Sequence, residues 1–287
     1  MKFKNNLLKQ LVSDYIAELT PIYNKEEAAQ MVFWLTEDFF GISRTGMLLN
    51  PEKKLSESEM LTLHFAVKSL KSHVPVQYII GKVAFLNLSL KVTGAVLIPR
   101  PETEQLVDWT LQIETTPRLK ILDIGTGSGC IALAIKQGLA DASVWGYDQS
   151  SEALAVAIQN AKSNGLEVHF FKADIFQENI DELEPMDVII SNPPYVLQSE
   201  KYNMHANVLD YEPHAALFVP DDTPLLFYEG ILKQAKRLLR SGGRIYFEIN
   251  ERMGQEMVVL LHSWDYKEVY LKHDLNGKPR FISGLKQ

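Results

Sequence analysis

The chain has 287 residues, of which 46% are hydrophobic and 23% are charged, and this balance is typical of globular domains. Its net charge of -7 argues against a broad nucleic-acid-binding surface, because such a surface requires an excess of lysine and arginine. The single cysteine, Cys130, excludes an internal disulfide and a cysteine-rich zinc site, and the seven histidines show no metal-ligand spacing, so we expect no bound metal.

The first part of the chain predicts a bundle of amphipathic helices. Apolar residues recur there at helical spacing in three stripes, and Asn24 with Glu27 and Ser56 with Glu59 resemble helix-capping boxes. The stripes consist of Leu7, Leu8, Leu11, Tyr15, Ile16 and Leu19, then of Ala28, Met31, Val32, Leu35 and Phe39, and then of Met60, Leu63, His64, Val67 and Leu70. This segment carries no cofactor or nucleophile motif, so we assign residues 1–75 to packing and to substrate docking.

Nothing in the sequence indicates a membrane segment. Polar and charged residues interrupt the apolar residues near the amino terminus, and no run of about 18 apolar residues occurs. We therefore expect no membrane association and a cytoplasmic location.

The alternating pattern from Val83 to Ile98, with Thr93-Gly94 inside it, predicts a β-hairpin. We expect this hairpin to lie in a linker, residues 76–100, that leads to a second domain, residues 101–287. Pro101 followed by Glu102 predicts the start of a helix, because proline suits the first helical position and acids suit the positive end of the helix dipole. Arg100, just before this helix, is either a capping residue at the surface or a residue that lines a site.

A glycine-rich loop follows the predicted strand 119–124 and precedes a helix that begins near Cys130. The loop consists of Gly125, Thr126, Gly127, Ser128 and Gly129. Glycines let a ligand approach the backbone closely, and the helix that follows presents free amides. A dinucleotide fingerprint would place its third glycine at position 130, so the observed spacing favours S-adenosylmethionine.

Two acids at predicted strand ends are candidate cofactor ligands. Asp148 ends the next strand, where a ribose needs a carboxylate acceptor about 20 residues after the glycine loop. Asp174 follows the strand after that, and we expect it to accept the adenine amino group while Ile175 packs on the adenine ring. Each acid also suits a solvated loop position.

The segment Ser191-Asn192-Pro193-Pro194-Tyr195 follows an apolar strand and is the predicted catalytic site. Two consecutive prolines continue neither a sheet nor a helix, so the Asn192 side chain and the Pro193 carbonyl are expected to face a ligand. A planar amino group of a substrate would donate to these two oxygens, and Tyr195 would pack on its flat face. Taken alone, the motif also suits an Asn-Pro turn with a core tyrosine.

Strands and helices alternate through the rest of the chain, and we predict seven strands in the second domain. The pattern is typical of an open, Rossmann-like α/β sheet. The glycine loop and the Asn-Pro-Pro-Tyr segment both lie at carboxyl ends of strands, where such sheets bind ligands.

Together, several segments resemble the peptide chain release factor glutamine methyltransferases of bacteria, over nearly the whole chain. They are residues 97–104, 121–129, 191–195, 211–213 and 274–277. The resemblance implies a helical amino-terminal domain and a seven-stranded class I methyltransferase domain. It also implies methylation of the glutamine side-chain amide in the Gly-Gly-Gln loop of release factors, with S-adenosylhomocysteine as the second product.

The resemblance further implies that Gly125 to Gly129, Asp148 and Asn192 touch the cofactor and that Asn192 to Tyr195 touch the glutamine. Some relatives have an aromatic residue where this chain has Ile175. Two other functions stay open. An adenine-N6 methyltransferase acting on DNA or RNA would use the same acceptors after base flipping, although the chain has no additional basic domain. A non-catalytic module would keep the fold without the reaction, although the motifs are intact.

Overall fold

The computed structural model describes residues 5–177, 180 and 183–287. The chain divides into one unit formed by Met1–Gly81 with His205–Tyr211 and a second unit formed by Lys82–Met204 with Glu212–Gln287. This division differs from the predicted boundaries at residues 75 and 100. Residues 76–81 belong to the helical unit, and the rest of the expected linker belongs to the second unit. No helix among the described residues is long and apolar enough to span a membrane.

The first part contains α1 (Leu8–Leu19), α2 (Lys25–Phe40), α3 (Arg44–Leu49), α4 (Glu57–Lys71) and α5 (Val76–Ile80). The remainder contains β1 (Lys82–Phe85), β2 (Leu88–Lys91), α6 (Pro101–Ile113), β3 (Lys120–Ile124), α7 (Cys130–Gly138), β4 (Ser143–Asp148), α8 (Ser151–Asn164), β5 (His169–Lys172), β6 (Met186–Ser191), β7 (Val196–Leu197), α9 (Ala206–Leu209), β8 (Phe218–Val219), α10 (Leu226–Leu238), β9 (Leu239–Glu248), α11 (Gly254–Ser263), β10 (Tyr266–His273) and β11 (Pro279–Lys286).

The first unit packs α1, α2 and α4 as the apolar stripes predict, around a core that includes Leu8, Leu35 and Leu63. The capping box at Ser56 is complete, whereas Asn24 only accepts the hydrogen bond from the Glu27 amide. The short helices α3 and α5 were not predicted, because neither is long enough to show a helical period.

The hairpin is formed by β1 and β2, with Phe85 opposite Leu88, so its turn lies at Leu86-Asn87. The predicted turn at Thr93-Gly94 is therefore wrong. Leu86 itself occupies the turn with a φ of +48°, so the apolar pattern runs through the turn and hides it from a periodicity argument. Phe85, Leu88 and Leu90 pack into the core of the second unit.

Among the described residues, seven strands form one sheet in the order β10-β11-β9-β6-β3-β4-β5, which confirms the predicted Rossmann-like α/β domain. Strands β9, β6, β3, β4 and β5 run parallel to one another, whereas β11 is antiparallel to β9 and to β10. Helices α6 and α7 cover one face, and α10 and α11 cover the other. This double cover explains why β3 and β6 are almost continuously buried.

The sheet order places the ligand-binding edge. The chain runs from β3 outward to β4 and β5, and then returns to the other side of β3 with β6. Such a reversal leaves a crevice beyond the carboxyl ends of the two central strands. The loops that leave β3 and β6 are the glycine loop and the Asn-Pro-Pro-Tyr segment.

A buried asparagine holds the glycine loop against the hairpin. Asn160 on α8 is fully buried, and its side chain accepts from the Lys91 amide (2.7 Å) and donates to the carbonyl oxygens of Lys91 (3.0 Å) and Ser128 (2.9 Å). The bond to the Ser128 carbonyl is buried, and the two bonds to Lys91 are partly buried. Asn160 therefore links β2, α8 and the loop that follows β3.

We predict that Asn160→Ala lowers the free energy of unfolding by about 2–4 kcal/mol, because it removes the hydrogen bonds of its buried side chain to Lys91 and Ser128. Asn164→Ala is the matched control, since Asn164 lies one turn later and donates to Ser89 at a partly exposed position. It should cost about 1 kcal/mol or less. Urea denaturation measures both, and equal losses would contradict the special role of Asn160.

Candidate active site

A cavity of about 270 Å³ lies at the carboxyl ends of β3, β4 and β6. Asp148 and Glu152 are among its lining residues, and no lining residue in the described part of the chain is cationic. The cavity thus favours a ligand that carries positive charge. Its other lining residues are Gly94, Ala95, Val96, Leu97, Ile124, Gly125, Gly127, Tyr147, Gln149, Ser150, Ala153, Ala173, Ile175, Ser191, Asn192, Pro193, Pro194, Pro213, Ala215, Ala216, Phe227 and Ile231.

The glycines of the loop have two different structural roles. Gly127 has a φ of +54°, and a Cβ atom built on it would project into open space, with only the Gly125 carbonyl at 4.0 Å. Gly129 has a φ of +81°, but a Cβ there would lie 3.1 Å from Phe170 and 3.2 Å from Ala157. Gly125 and Gly127 therefore keep the cavity open, whereas Gly129 permits close packing.

The remaining loop residues face away from the cavity. Thr126 and Ser128 are buried; the Thr126 hydroxyl donates to Asp123 (2.6 Å), and the Ser128 carbonyl accepts from Asn160. Neither residue, nor Gly129, lines the cavity. The structure thus assembles the loop as predicted, and the contacts of these three residues with the cofactor stay a prediction.

Asp123 was missed by the sequence analysis, although it lies inside the strand that leads to the glycine loop. Its Oδ2 accepts from the Thr126 hydroxyl and from the Ala132 amide (3.2 Å), and no described residue donates to its buried Oδ1. Burial raises the pKa of Asp123 to about 7. An acid within an apolar strand directly before a glycine loop was the available signal.

Asp148 lies at the cavity, as predicted, and is held by two main-chain donors. Its Oδ2 accepts from the Gly127 amide and its Oδ1 from the Ser150 amide, both at 2.9 Å. These bonds fix the carboxylate at the end of β4, beside the glycine loop. Its remaining acceptor capacity suits ribose hydroxyls, and that role stays a prediction.

The predicted adenine pocket is only partly assembled. Ile175 lines the cavity together with Phe227, an aromatic residue that the sequence analysis did not identify. Asp174 does not line it; its carboxylate accepts from the Phe176 amide (3.0 Å) and from the Gln177 side chain (3.3 Å). Asp174 therefore shapes its own turn, and its predicted bond to adenine stays a prediction.

The Asn-Pro-Pro-Tyr segment meets the cavity through its first three residues. Asn192 donates from Nδ2 to the Thr103 hydroxyl oxygen (3.0 Å), and Pro193 and Pro194 line the cavity beside it. Tyr195 does not line it, and its hydroxyl donates to the buried Glu248 (2.9 Å). The predicted packing of the Tyr195 ring on a substrate stays a prediction.

Two cavity walls were not predicted as such, namely residues 94–97 and 213–216. They are linked by Glu212, whose carboxylate accepts from the Ile98 amide (3.1 Å) and pairs with Arg100 (2.5 Å). Arg100 does not itself line the cavity. It therefore braces the wall, and segments 97–104 and 211–213, which carry the resemblance, come together here.

The residues present fit S-adenosylmethionine. Gly125 and Gly127 leave room for a ligand at the backbone, Asp148 offers carboxylate oxygens, and Ile175 and Phe227 supply an apolar wall for a flat ring. The acidic lining also matches a cofactor whose sulfonium is positive. When bound, that cofactor supplies an electrophilic methyl group.

Comparisons with known proteins agree with this geometry. Residues 104–214 match the family model described as methyltransferase small domain, and residues 10–81 match the PrmC N-terminal domain. A methyltransferase from Pyrococcus furiosus shares the fold, with a TM-score of 0.52 and 16% identity over 80% of this chain and 99% of that one.

Two curated relatives cover almost the whole chain. The release factor glutamine methyltransferase of Flavobacterium psychrophilum is 41% identical over 280 residues, which are 96% of this chain and 98% of the relative. The protein of the same name from Bacteroides thetaiotaomicron is 39% identical over 95% of this chain and 98% of its own length.

The sheet, the glycine loop and the acidic cavity define an S-adenosylmethionine-dependent methyltransferase of the Rossmann-like class. Within that class, the identity and coverage of the relatives show the family. The chain belongs to the release factor glutamine methyltransferases.

We predict that Asp148→Ala weakens S-adenosylmethionine binding about 10- to 100-fold, because a charged acceptor contributes about 1.5–3 kcal/mol. Isothermal titration calorimetry on the folded variant measures this change. Asp174→Ala separates the two acids, and we expect a smaller effect because that carboxylate bonds its own turn. Unchanged affinity in Asp148→Ala would remove Asp148 from the cofactor site.

Proposed function

We propose that this protein transfers a methyl group from S-adenosylmethionine to the side-chain amide nitrogen of the glutamine in the Gly-Gly-Gln motif of peptide chain release factors. The names of the curated relatives support this substrate. The observation that carries the chemistry is the orientation of Asn192. Its amino group bonds Thr103, so its oxygen is left for an amino group in the cavity.

The reaction requires help with a poor nucleophile. An amide nitrogen shares its lone pair with the carbonyl group, and its two hydrogens become more positive as it attacks. The oxygens of Asn192 and Pro193 would accept these hydrogens with dipoles that are already oriented. Holding the nitrogen in line with the methyl group supplies further acceleration. No strong base is then required, because the proton can leave to water.

Intact release factor incubated with the protein and isotopically labelled S-adenosylmethionine tests this function. We expect mass spectrometry to find one labelled methyl group on the glutamine of the Gly-Gly-Gln motif. A release factor in which that glutamine is replaced by alanine is the control. Label on DNA or RNA in a parallel incubation would instead favour the adenine-N6 alternative, which the relatives' names do not support.

We predict that Asn192→Ala lowers turnover about 10²- to 10³-fold, as removal of one preorganised hydrogen-bonding partner does at an oxyanion hole. The decrease should lie in kcat, since Asn192 acts on the reacting amide. Single-turnover kinetics with saturating cofactor measures it. Near-normal turnover would refute the assigned role, whatever the cofactor affinity.

We further propose that the helical unit docks the release factor and takes no part in methyl transfer. A groove on this unit supports the proposal. It is lined by Lys9, Lys25 and Arg44, and its described lining contains apolar side chains but no acid. The guanidinium of Arg44 lies 5.2 Å from the centre of the Phe33 ring. Such a groove suits an acidic, partly apolar segment of the release factor.

We predict that the double substitution Lys9→Glu and Lys25→Glu lowers kcat/KM for intact release factor about tenfold, through loss of charge complementarity. Methylation of a short Gly-Gly-Gln peptide, which lacks remote contacts, should not change. Lys68→Glu reverses an exposed charge of the same unit outside the groove and is the control. Equal losses on protein and peptide would contradict a docking role.

We also propose that the reaction takes place in the cytoplasm and that no nucleic acid is a direct substrate. The net charge of -7 and the acidic cavity lining support a protein substrate over a polyanion.

A further inference from the structure

A chain of buried hydrogen bonds leads away from the reacting end of the cavity. Asn192 Nδ2 donates to Thr103 Oγ1 (3.0 Å), and Thr103 Oγ1 donates to Glu248 Oε2 (2.7 Å). The Tyr195 hydroxyl donates to the other oxygen, Glu248 Oε1 (2.9 Å). Thr103 and Glu248 are only 2% and 1% exposed, so water does not compete for these bonds.

Counting donors fixes the direction of this chain. A threonine hydroxyl has one proton, and here that proton goes to a carboxylate. The Thr103 oxygen can therefore only accept from Asn192, so the Asn192 amino group must face Thr103. The Asn192 side-chain oxygen then lies on the other side of the amide, and no residue within the described ranges donates a hydrogen bond to it.

The opposite orientation would prevent the reaction. A flipped Asn192 would present its amino group to the amino group of the substrate, and two donors would face each other without an acceptor. An unpaired buried donor carries a desolvation penalty. The geometry around an isolated asparagine does not choose between these orientations, because its oxygen and nitrogen are nearly isosteric.

We propose that Thr103 and Glu248 are positioning residues that act through Asn192 and set the orientation of its side-chain amide. This inference rests on the proposed function, in which the Asn192 oxygen accepts from the reacting glutamine amide. Ionised Glu248 is the fixed end of this series of hydrogen bonds, since a carboxylate without its proton only accepts. Thr103 transmits this constraint to Asn192, which lies 89 residues later in the sequence and lines the cavity.

The surroundings of Glu248 are consistent with this role. Burial raises the pKa of Glu248, and the hydrogen bonds from Thr103 and Tyr195 and the charge of Arg280 oppose that rise. Arg280 is itself held by Asp274 (3.3 Å) and Glu251 (3.2 Å). The main-chain oxygen of Glu248 accepts from Tyr228 (3.0 Å), which fixes the backbone that carries the acid.

A double-mutant cycle tests the proposal. Thr103→Val removes the hydroxyl at nearly constant volume and should lower kcat about tenfold, with little change in cofactor affinity by calorimetry. Thr103→Ser keeps the hydroxyl and should retain most of the wild-type rate. In an Asn192→Ala background, Thr103→Val should have no further effect on kcat, because there is no amide left to orient. If the two substitutions instead lower kcat by independent factors that multiply in the double variant, the role of Thr103 is merely structural and the proposal is overturned.

Two further measurements keep the result decisive. If Thr103→Val does not fold, Glu248→Gln replaces it in the same cycle with the same expectation. Nuclear magnetic resonance of the free protein needs no substrate. We expect a contact between the Asn192 amide protons and the Thr103 methyl group in the wild type, and faster exchange of those protons in Thr103→Val, with Asn250 as an unaffected reference. Absence of that contact would overturn the inference, whereas an inactive wild type with the contact intact would refute only the proposed function.

Discussion

The pairing of β3 with β6 is the constraint on which the site depends. These strands are adjacent and parallel, with Ile124 opposite Ser191, and the Ser191 hydroxyl donates to the Ile124 carbonyl at 2.6 Å. The register brings the end of the glycine loop strand beside the start of the Asn-Pro-Pro segment. A slip of one residue would reverse the faces of every side chain on β6 and separate the two loops. The cofactor and acceptor halves of the cavity therefore exist together or not at all.

The charged residues around this pair of strands differ between the cavity lining and the residues behind it. Carboxylates line the cavity, whereas Arg100, which does not line it, is paired with the buried Glu212 and braces the wall from behind. A positive side chain inside would repel a sulfonium, and an unpaired acid behind the wall would be costly to bury. The arrangement leaves the negative potential where a cationic cofactor would need it.

Sequence patterns were sufficient for features that are local in the chain. The capped helices, the glycine loop, Asp148 and the strand that leads to Asn192 each depend on neighbours within a few residues, and the structure has them where they were predicted. Contacts between distant residues left no such signal. Thr103 and Glu248 are 145 residues apart, and although Thr103 lies in segment 97–104, no local pattern there indicates its contact with Glu248 or with Asn192. The hairpin turn was misplaced because Leu86 continues the apolar pattern.

Two buried acids of this domain accept hydrogen bonds next to the cavity. Asp123 and Glu248 both lie inside apolar strands, where ionisation is opposed by burial. Apolar replacements of similar volume often remove such a cost. They would also remove the acceptor that determines where a threonine hydroxyl donates its proton. Thr126 donates to Asp123, and Thr103 donates to Glu248. One of these threonines shapes the glycine loop, and the other contacts Asn192. Each acid thus accepts a hydrogen bond beside one half of the cavity, Asp123 at the glycine loop and Glu248 behind Asn192.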